Sequence, residues 1–361
     1  MFFQKVFERH MKHIKIRRYQ AQFSCIGSDC EDPCCSGWNI PISSNDRNRL
    51  SQVMHQDELK EFVQDNPIPQ VRKRQRSCMK LTSKGLCSIQ TSFGHDYIPD
   101  VCASYPRFMG KHDQGIEIGG WLSCPEIVRL SLEYSGELLE TTRLERAITE
   151  IDIQETKSDY EKSFFVVRDW FTQRFLESRT AKDFFLSIAP LVGLSPAFFH
   201  KGSGFFGELL EKVSNRCFVE NCDDSDSGVV HDAFMQCIQN FSVGNWPYPK
   251  PMKLLQDALN YSLEYAVKIP DEWELRYIRH DWNVRWYVHS PNLLFHWQVT
   301  LFKLLLIRFL YQRPTSKSDR ERFVEVVYST ERLVEHTSLK IDLYSMFHQP
   351  WSLSRIIQAA L

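Results

Sequence analysis

The stretch Phe23-Ser24-Cys25-Ile26-Gly27-Ser28-Asp29-Cys30-Glu31-Asp32-Pro33-Cys34-Cys35-Ser36-Gly37-Trp38 places four cysteines in one short, turn-rich segment. Cys78, Cys87, Cys102 and Cys124 follow, and only Cys217, Cys222 and Cys237 lie in the rest of the 361-residue chain. The first residues carry Lys5, Glu8, Arg9, Lys12, Lys15, Arg17 and Arg18 and no apolar secretory core, so the expected compartment is cytoplasmic. In a reducing compartment such crowding reads as metal binding or thiol chemistry rather than as a disulfide framework. Thiolates are the ligands that zinc and iron–sulfur iron prefer, and four of them close a zinc site or hold a [4Fe–4S] cluster. The candidate metal ligands are therefore Cys25, Cys30, Cys34, Cys35, Cys78, Cys87, Cys102 and Cys124. Neighbouring side chains diverge, so one of Cys34 and Cys35 is expected to reach a given metal while the other packs or serves a second centre. Spacing does not separate zinc from iron–sulfur.

Working outward, residues 1–24 read as a basic arm, 25–135 as a cysteine-cluster metal-binding module and 136–361 as an α-helical domain. The fold class expected is mainly α, with a metal-bound N-terminal module of short irregular segments. Turn formers such as Gly27-Ser28-Asp29, Asp32-Pro33 and Ser83-Lys84-Gly85 fit segments held by a metal better than a free-standing hydrophobic core. In the second half Tyr160, Phe164, Val167, Phe171 and Phe175 recur at spacings of three and four, as one apolar helix face does. Ser290-Pro291 reads as a helix start, and Ser318-Asp319-Arg320-Glu321 as a capping box. Residues 223–228 and 244–251 read as surface loops.

Charge excludes some functions. Lys+Arg 44 against Asp+Glu 45 leaves no field to recruit nucleic acid, and the basic run Arg72–Arg76 reads as a solvated face. The greasiest stretch, Asn292 to Tyr311, carries His296, Lys303 and Arg308, so it reads as a buried helix and no membrane insertion is expected.

Four motifs taken in order make the sequence recognisable: Phe23 to Trp38, Gly85-Leu-Cys-Ser-Ile89, Asp100-Val-Cys-Ala-Ser-Tyr-Pro-Arg107 and Leu122-Ser-Cys-Pro-Glu126. Together they resemble the flagellin lysine-N-methylase family, within a wider group of cysteine-cluster proteins thought to chelate iron or zinc. The resemblance covers residues 20–130; the second half is similar only in being helical and aromatic-rich. It implies transfer of methyl groups from S-adenosylmethionine to lysine side chains of flagellin, with the cysteines holding an iron–sulfur cluster, [4Fe–4S], or zinc. The rival is a non-enzymatic metal-cluster module or a flagellin-binding assembly factor.

Methylating a lysine is an in-line displacement by a neutral amine on a sulfonium. It calls for a desolvated channel that lowers the lysine pKa and for aromatic walls that attract the cation. Trp273, Tyr277, Trp282, Trp286, Tyr287 and Trp297, with His280, His289 and His296, offer such a wall, although aromatic residues at helical spacing are more often core. Tyr105 and Arg107 are the candidate cofactor-binding residues, since a fixed arginine can grip the carboxylate of S-adenosylmethionine in a bidentate pair. Gly202-Ser203-Gly204-Phe205-Phe206-Gly207 matches a phosphate-cradling pattern, but no βα series surrounds it and it reads as a loop. No doubly wound cofactor domain is announced, so either the cofactor sits in an unfamiliar cleft between the cysteine region and the helices, or the protein relies on something else. Cys30-x3-Cys34 lacks the third cysteine of the C-x3-C-x2-C run of radical S-adenosylmethionine enzymes, and that chemistry is disfavoured.

Overall fold

A computed structural model describes residues 14–65, 68–112, 115–134, 136–141, 159–198, 226–243, 247–260, 267–284 and 293–337. The Gly202–Gly207 motif, Ser290-Pro291, His289, Trp286, Tyr287, Cys217 and Cys222 lie outside these residues.

The first described elements are strand β1 (Ile14–Arg17) and a helical turn α1 (Arg18–Ala21). Residues read as the end of a solvated basic arm are thus built into a sheet. Ile14 and Ile16 stand beside Ile116 and Ile118 in parallel register, and these isoleucines with Met109 form a small apolar cluster. β-branched residues alternating along a strand favour this pairing. Arg17 is buried because Glu117 receives it at 3.3 Å, while Arg168 binds both oxygens of that carboxylate at 2.8 and 2.9 Å.

Residues 40–103 carry an apolar core of their own, which the turn-rich composition did not announce. Ile40, Leu50, Phe62, Val71, Ile89 and Ile98 build it, with Cys78 among the buried residues. It is assembled from α2 (Ser44–Leu50), α3 (Gln56–Phe62) and two small hairpins, β2 (Val63–Gln64) with β3 (Gln70–Val71) and β4 (Lys73–Arg74) with β5 (Ser77–Cys78). Helices α4 (Ser88–Phe93) and α5 (Asp100–Ser104) complete it. Ser43 caps α2 reciprocally with Asp46, and Asp46 also accepts the Asp100 N–H at 2.8 Å, so one carboxylate fixes the starts of two helices. The basic run is the β4–β5 hairpin, where Arg74 pairs with Glu61 and Lys73 donates to the Gly37 carbonyl.

Strands β6 (Arg107–His112) and β7 (Gly115–Gly120) form a regular antiparallel hairpin. After α6 (Pro125–Glu133), β8 (Leu138–Thr141) closes a four-stranded sheet in the order β6-β7-β1-β8. The helical half supplies α7 (Asp159–Glu177), α8 (Ala181–Phe198), α9 (Asp226–Ser242) and α10 (Pro249–Leu259). The last described elements are α11 (Asp271–Val284), α12 (Leu293–Tyr311) and α13 (Asp319–Glu335). Phe171 and Phe175 of the expected helix face are buried, and both halves of the Ser318–Glu321 capping box are made. The stretch read as a buried helix is α12; among the described residues no helix is long and apolar enough to cross a membrane. Tyr277, Trp282 and Trp297 are core residues, as their helical spacing favours. The loop readings are corrected where the structure describes them: residues 249–251 open α10, since proline suits the first helical turn, with Tyr248 buried before it. Residues 226–228 belong to α9, while 223–225 and 244–246 lie outside the described residues.

Where sheet and helices meet, His280 is buried and its Nε2–H donates to the Gly120 carbonyl at 3.0 Å. The Gly120 N–H donates to the Tyr19 hydroxyl at 3.3 Å, and the Tyr19 and His280 rings lie 4.4 Å apart. Burial pushes the His280 imidazole down to about 4, so the folded protein holds it neutral. As pH falls from 6.5 toward 4 the unfolded chain binds a proton that the folded chain refuses. Stability is therefore full above pH 6.5 and is lost on acidification, by about 3 kcal/mol through this one group. Urea unfolding at pH 7, 5.5 and 4.5 checks this; His280→Gln, which keeps a donor for Gly120, should remove that part of the slope.

Candidate functional site

The turn that carries the first cysteines is clipped to the β4–β5 hairpin. The Cys78 N–H donates to the Cys35 carbonyl at 2.8 Å, and the Gly37 N–H to the Arg76 carbonyl at 3.0 Å. Trp38 Nε1 donates to the Cys34 carbonyl at 2.7 Å, folding the indole back over the turn. Gly37 has φ +99°, and a Cβ there would meet the Tyr248 ring at 2.4 Å. Only glycine satisfies both the left-handed backbone and the close ring.

The adjacent cysteines have different surroundings. Cys35 packs on the N-terminal core with Cys87, Cys102 and the buried Cys78, while Cys34 faces a cavity. The two thiols share a hydrogen bond that pulls Cys34 below its ordinary pKa and pushes Cys35 above it. Burial, then the neighbouring Cys34, Cys78 and Cys87, raises Cys102 well above the usual thiol range. Burial likewise pushes Cys78 to about 11, Cys30 to about 11 and Cys124 to about 12. Cys25 is exposed, and Cys124 belongs to the helical core. Seven of the eight predicted ligands, all but Cys25, are thus linked as electrostatic neighbours: Cys34, Cys35, Cys78 and Cys87 surround Cys102, while Cys30 and Cys124 neighbour Cys34. The chemistry of these donors fits a thiophilic metal. As the side chains stand, no group of three among the described residues encloses an ion.

The cavity, of about 230 Å³, lies between the cysteine region and the helical half. Trp38, Tyr105, Trp121 and Tyr248 give it four aromatic walls, and Arg107 and Arg332 give it charge. Tyr105 and Arg107, singled out from their place after Cys102, therefore share one cavity with Cys34. The Tyr105 hydroxyl lies 3.1 Å from the Ser123 hydroxyl, and its ring 6.3 Å from Trp38. The Arg107 guanidinium sits 5.5 Å from the Phe23 ring, which presents it as a planar group. Burial raises the Tyr105 phenol well above its usual range and Tyr248 to about 12, so both stay neutral, hydrogen-bonding walls.

Sequence reasoning missed Arg332. From α13 its Nε donates to the Ser123 carbonyl at 3.0 Å and its Nη2 to the Asp32 carbonyl at 2.8 Å. Nη1 stands 2.6 Å from the Asp32 carboxylate, and both residues are almost fully buried. One guanidinium thereby ties the first cysteine turn, the β7–α6 connection and α13 together. The only available signal was the apolar period of α13, Phe323, Val324 and Val327, which an interior arginine interrupts. Tyr248 and His336 also line the cavity and were missed, being far in sequence from the cysteine motifs of residues 25–124.

Comparison with known proteins places this geometry in context. The chain is 27% identical over 134 residues to the flagellar biosynthetic protein FliU of Salmonella muenchen, covering 32% of this chain and 76% of that protein. It is 26% identical over 134 residues to lysine-N-methylases of Salmonella typhimurium and Salmonella choleraesuis, covering 32% of this chain and 32% of each relative. This match therefore spans about a third of each curated methylase. No family model matches, and no solved structure matches. The family resemblance read from the sequence is thus borne out: over about a third of its length the chain is similar to proteins named lysine-N-methylase and to the flagellar biosynthetic protein FliU.

Proposed function

We propose that the protein transfers methyl groups from S-adenosylmethionine to lysine side chains of flagellin, with the cavity beside Cys34 as the reaction site. The observation that carries this is the shared cavity of Cys34, Tyr105, Arg107 and Arg332 at the junction of the two halves. Its aromatic walls suit a methyl sulfonium, whose positive charge is attracted by ring faces. Arg107 suits the carboxylate of the same molecule, as a planar fork for two oxygens. At about 230 Å³ the space is small for the whole molecule, so its aromatic walls would hold the sulfonium-bearing part.

When bound, S-adenosylmethionine supplies an electrophilic methyl group. The lysine nitrogen forms the new N–C bond as the S–C bond breaks, and the electron pair of that bond stays on sulfur. The walls strip water from the amine, which favours its neutral, nucleophilic form. Arg332 holds the wall of Ser123 and the turn of Cys34 at a fixed separation. Cys34, Cys35, Cys78, Cys87 and Cys102 would hold an iron–sulfur cluster or zinc, which would brace that turn from behind.

The test incubates anaerobically purified protein with flagellin and S-adenosylmethionine and reads flagellin's intact mass. Stepwise gain of methyl masses is expected, together with metal bound to the unmodified protein and lost in Cys102→Ser. No mass gain from folded, metal-loaded protein would overturn the enzymatic reading and leave a metal-cluster module that binds flagellin. That rival is favoured by one observation, the absence of a doubly wound cofactor sheet among the described residues.

A further inference from the structure

A second cavity, of about 310 Å³, opens between the sheet and the helices, with no cysteine among the described residues that line it. Its wall holds Arg17, Arg276 and Arg279, with Tyr19, Tyr134 and His280. Two of the three guanidiniums are already engaged. Arg17 donates to the Gly136 carbonyl at 2.6 Å and to Glu117 at 3.3 Å. Arg276 donates to Glu272 at 2.7 and 3.0 Å and to the Leu132 carbonyl at 2.6 Å. The acid in the lining, Glu133, is ion-paired with Arg320 on α13.

Arg279 differs from both. Its Nε is buried without a hydrogen-bond partner, and among the described residues no acid pairs with its guanidinium. Its electrostatic neighbours are Arg276 and Arg17, both of like charge. Burial, then Arg276, lowers its pKa from the ordinary arginine value. A half-buried guanidinium facing two others is unfavourable unless an anion completes the group. His280 adds no charge, since its ring is held neutral.

We propose that this cavity is a binding site for a small organic anion, whose single carboxylate or phosphoryl head is gripped by Arg279 and whose body lies between Tyr19 and Tyr134. One uncompensated cation matches one anionic head, and the volume matches a small molecule rather than a polymer. The guanidinium plane fits either head through two parallel N–H donors. The inference does not rest on methyl transfer, because none of these residues lines the cavity beside Cys34.

Calorimetric titration of the full chain with benzoate and with inorganic phosphate, in low-chloride Tris buffer, tests it. At least one of the two is expected to bind, and Arg279→Gln should weaken that binding about tenfold or more. Arg74→Gln, on the β4–β5 hairpin, should leave it unchanged. Tighter benzoate identifies a carboxylate-headed ligand, and tighter phosphate a phosphoryl-headed one; either supports the site. Should Arg279→Gln fail to fold, Arg279→Lys makes the same comparison, since it keeps the charge and loses the fork. Absence of binding by both anions, or equal binding by the folded variant, overturns the proposal.

Discussion

Lys303→Met is expected to destabilise the protein by about 3–5 kcal/mol, the usual consequence of removing one partner from a buried ion pair. Lys303 has no exposed surface, yet it sits in the middle of α12, which with α8 is one of the two most apolar of the described helices. Its ammonium contacts Asp281 of α11 and lies 2.8 Å from Glu331 of α13, with Glu335 at 3.8 Å. Thr300 donates to Asp281 at 2.7 Å and Tyr277 to Glu331 at 2.9 Å, so the carboxylates are held in place even without the lysine. Methionine fills the stem of the side chain and leaves two carboxylates facing each other in the core. Urea unfolding at pH 7 measures the loss. The triple variant Lys303→Met, Asp281→Asn, Glu331→Gln should recover much of it, because it removes the uncompensated charge along with the pair. An unchanged midpoint in the single variant would show that the network contributes nothing to stability.

Arg332→Met is the second large effect, and it reaches both stability and chemistry. It deletes two hydrogen bonds to carbonyls and strands Asp32, which burial already pushes above the usual carboxylate range while Arg332 opposes that rise. Without the arginine the folded Asp32 binds its proton more tightly than the unfolded chain does. Stability of the variant should then fall as pH rises above the unfolded carboxyl pKa. Its deficit against the unmodified protein should accordingly be larger at pH 7, about 3–5 kcal/mol, than at pH 4.5. Because Arg332 spaces the Cys34 turn from Ser123, the proposed methyl transfer should drop about a hundredfold under conditions where the variant is folded. Unfolding curves at both pH values and the flagellin mass assay read the two parts separately. Activity retained by a destabilised but folded variant would remove Arg332 from the site and leave it a structural tie.

The two residues show where sequence reading stops. Lys303 was legible as a charge that bars α12 from a membrane, but nothing in the sequence said that α11 and α13 would bring acids to it. Arg332 looked like one more polar interruption of an amphipathic helix; its partners Asp32 and Ser123 lie 300 and 209 positions away. Side-chain pairing over such separations depends on how elements dock, and docking leaves no local pattern.

Local physics was readable throughout. The capping box at Ser318, the helical period through Phe171 and Phe175, and the core role of Tyr277, Trp282 and Trp297 follow from interactions within one or two turns, which a short window of sequence contains. The four cysteine motifs were readable for the same reason, as was the closeness of Tyr105 and Arg107 to Cys102. Tertiary structure alone decided that Cys34 turns to a cavity while Cys35 turns to a core, that Ile14–Arg17 forms an inner strand, and that Tyr248 closes over Gly37. Each of these depends on burying apolar surface between segments far apart in the chain, a free energy that belongs to the pair of surfaces and to neither segment by itself.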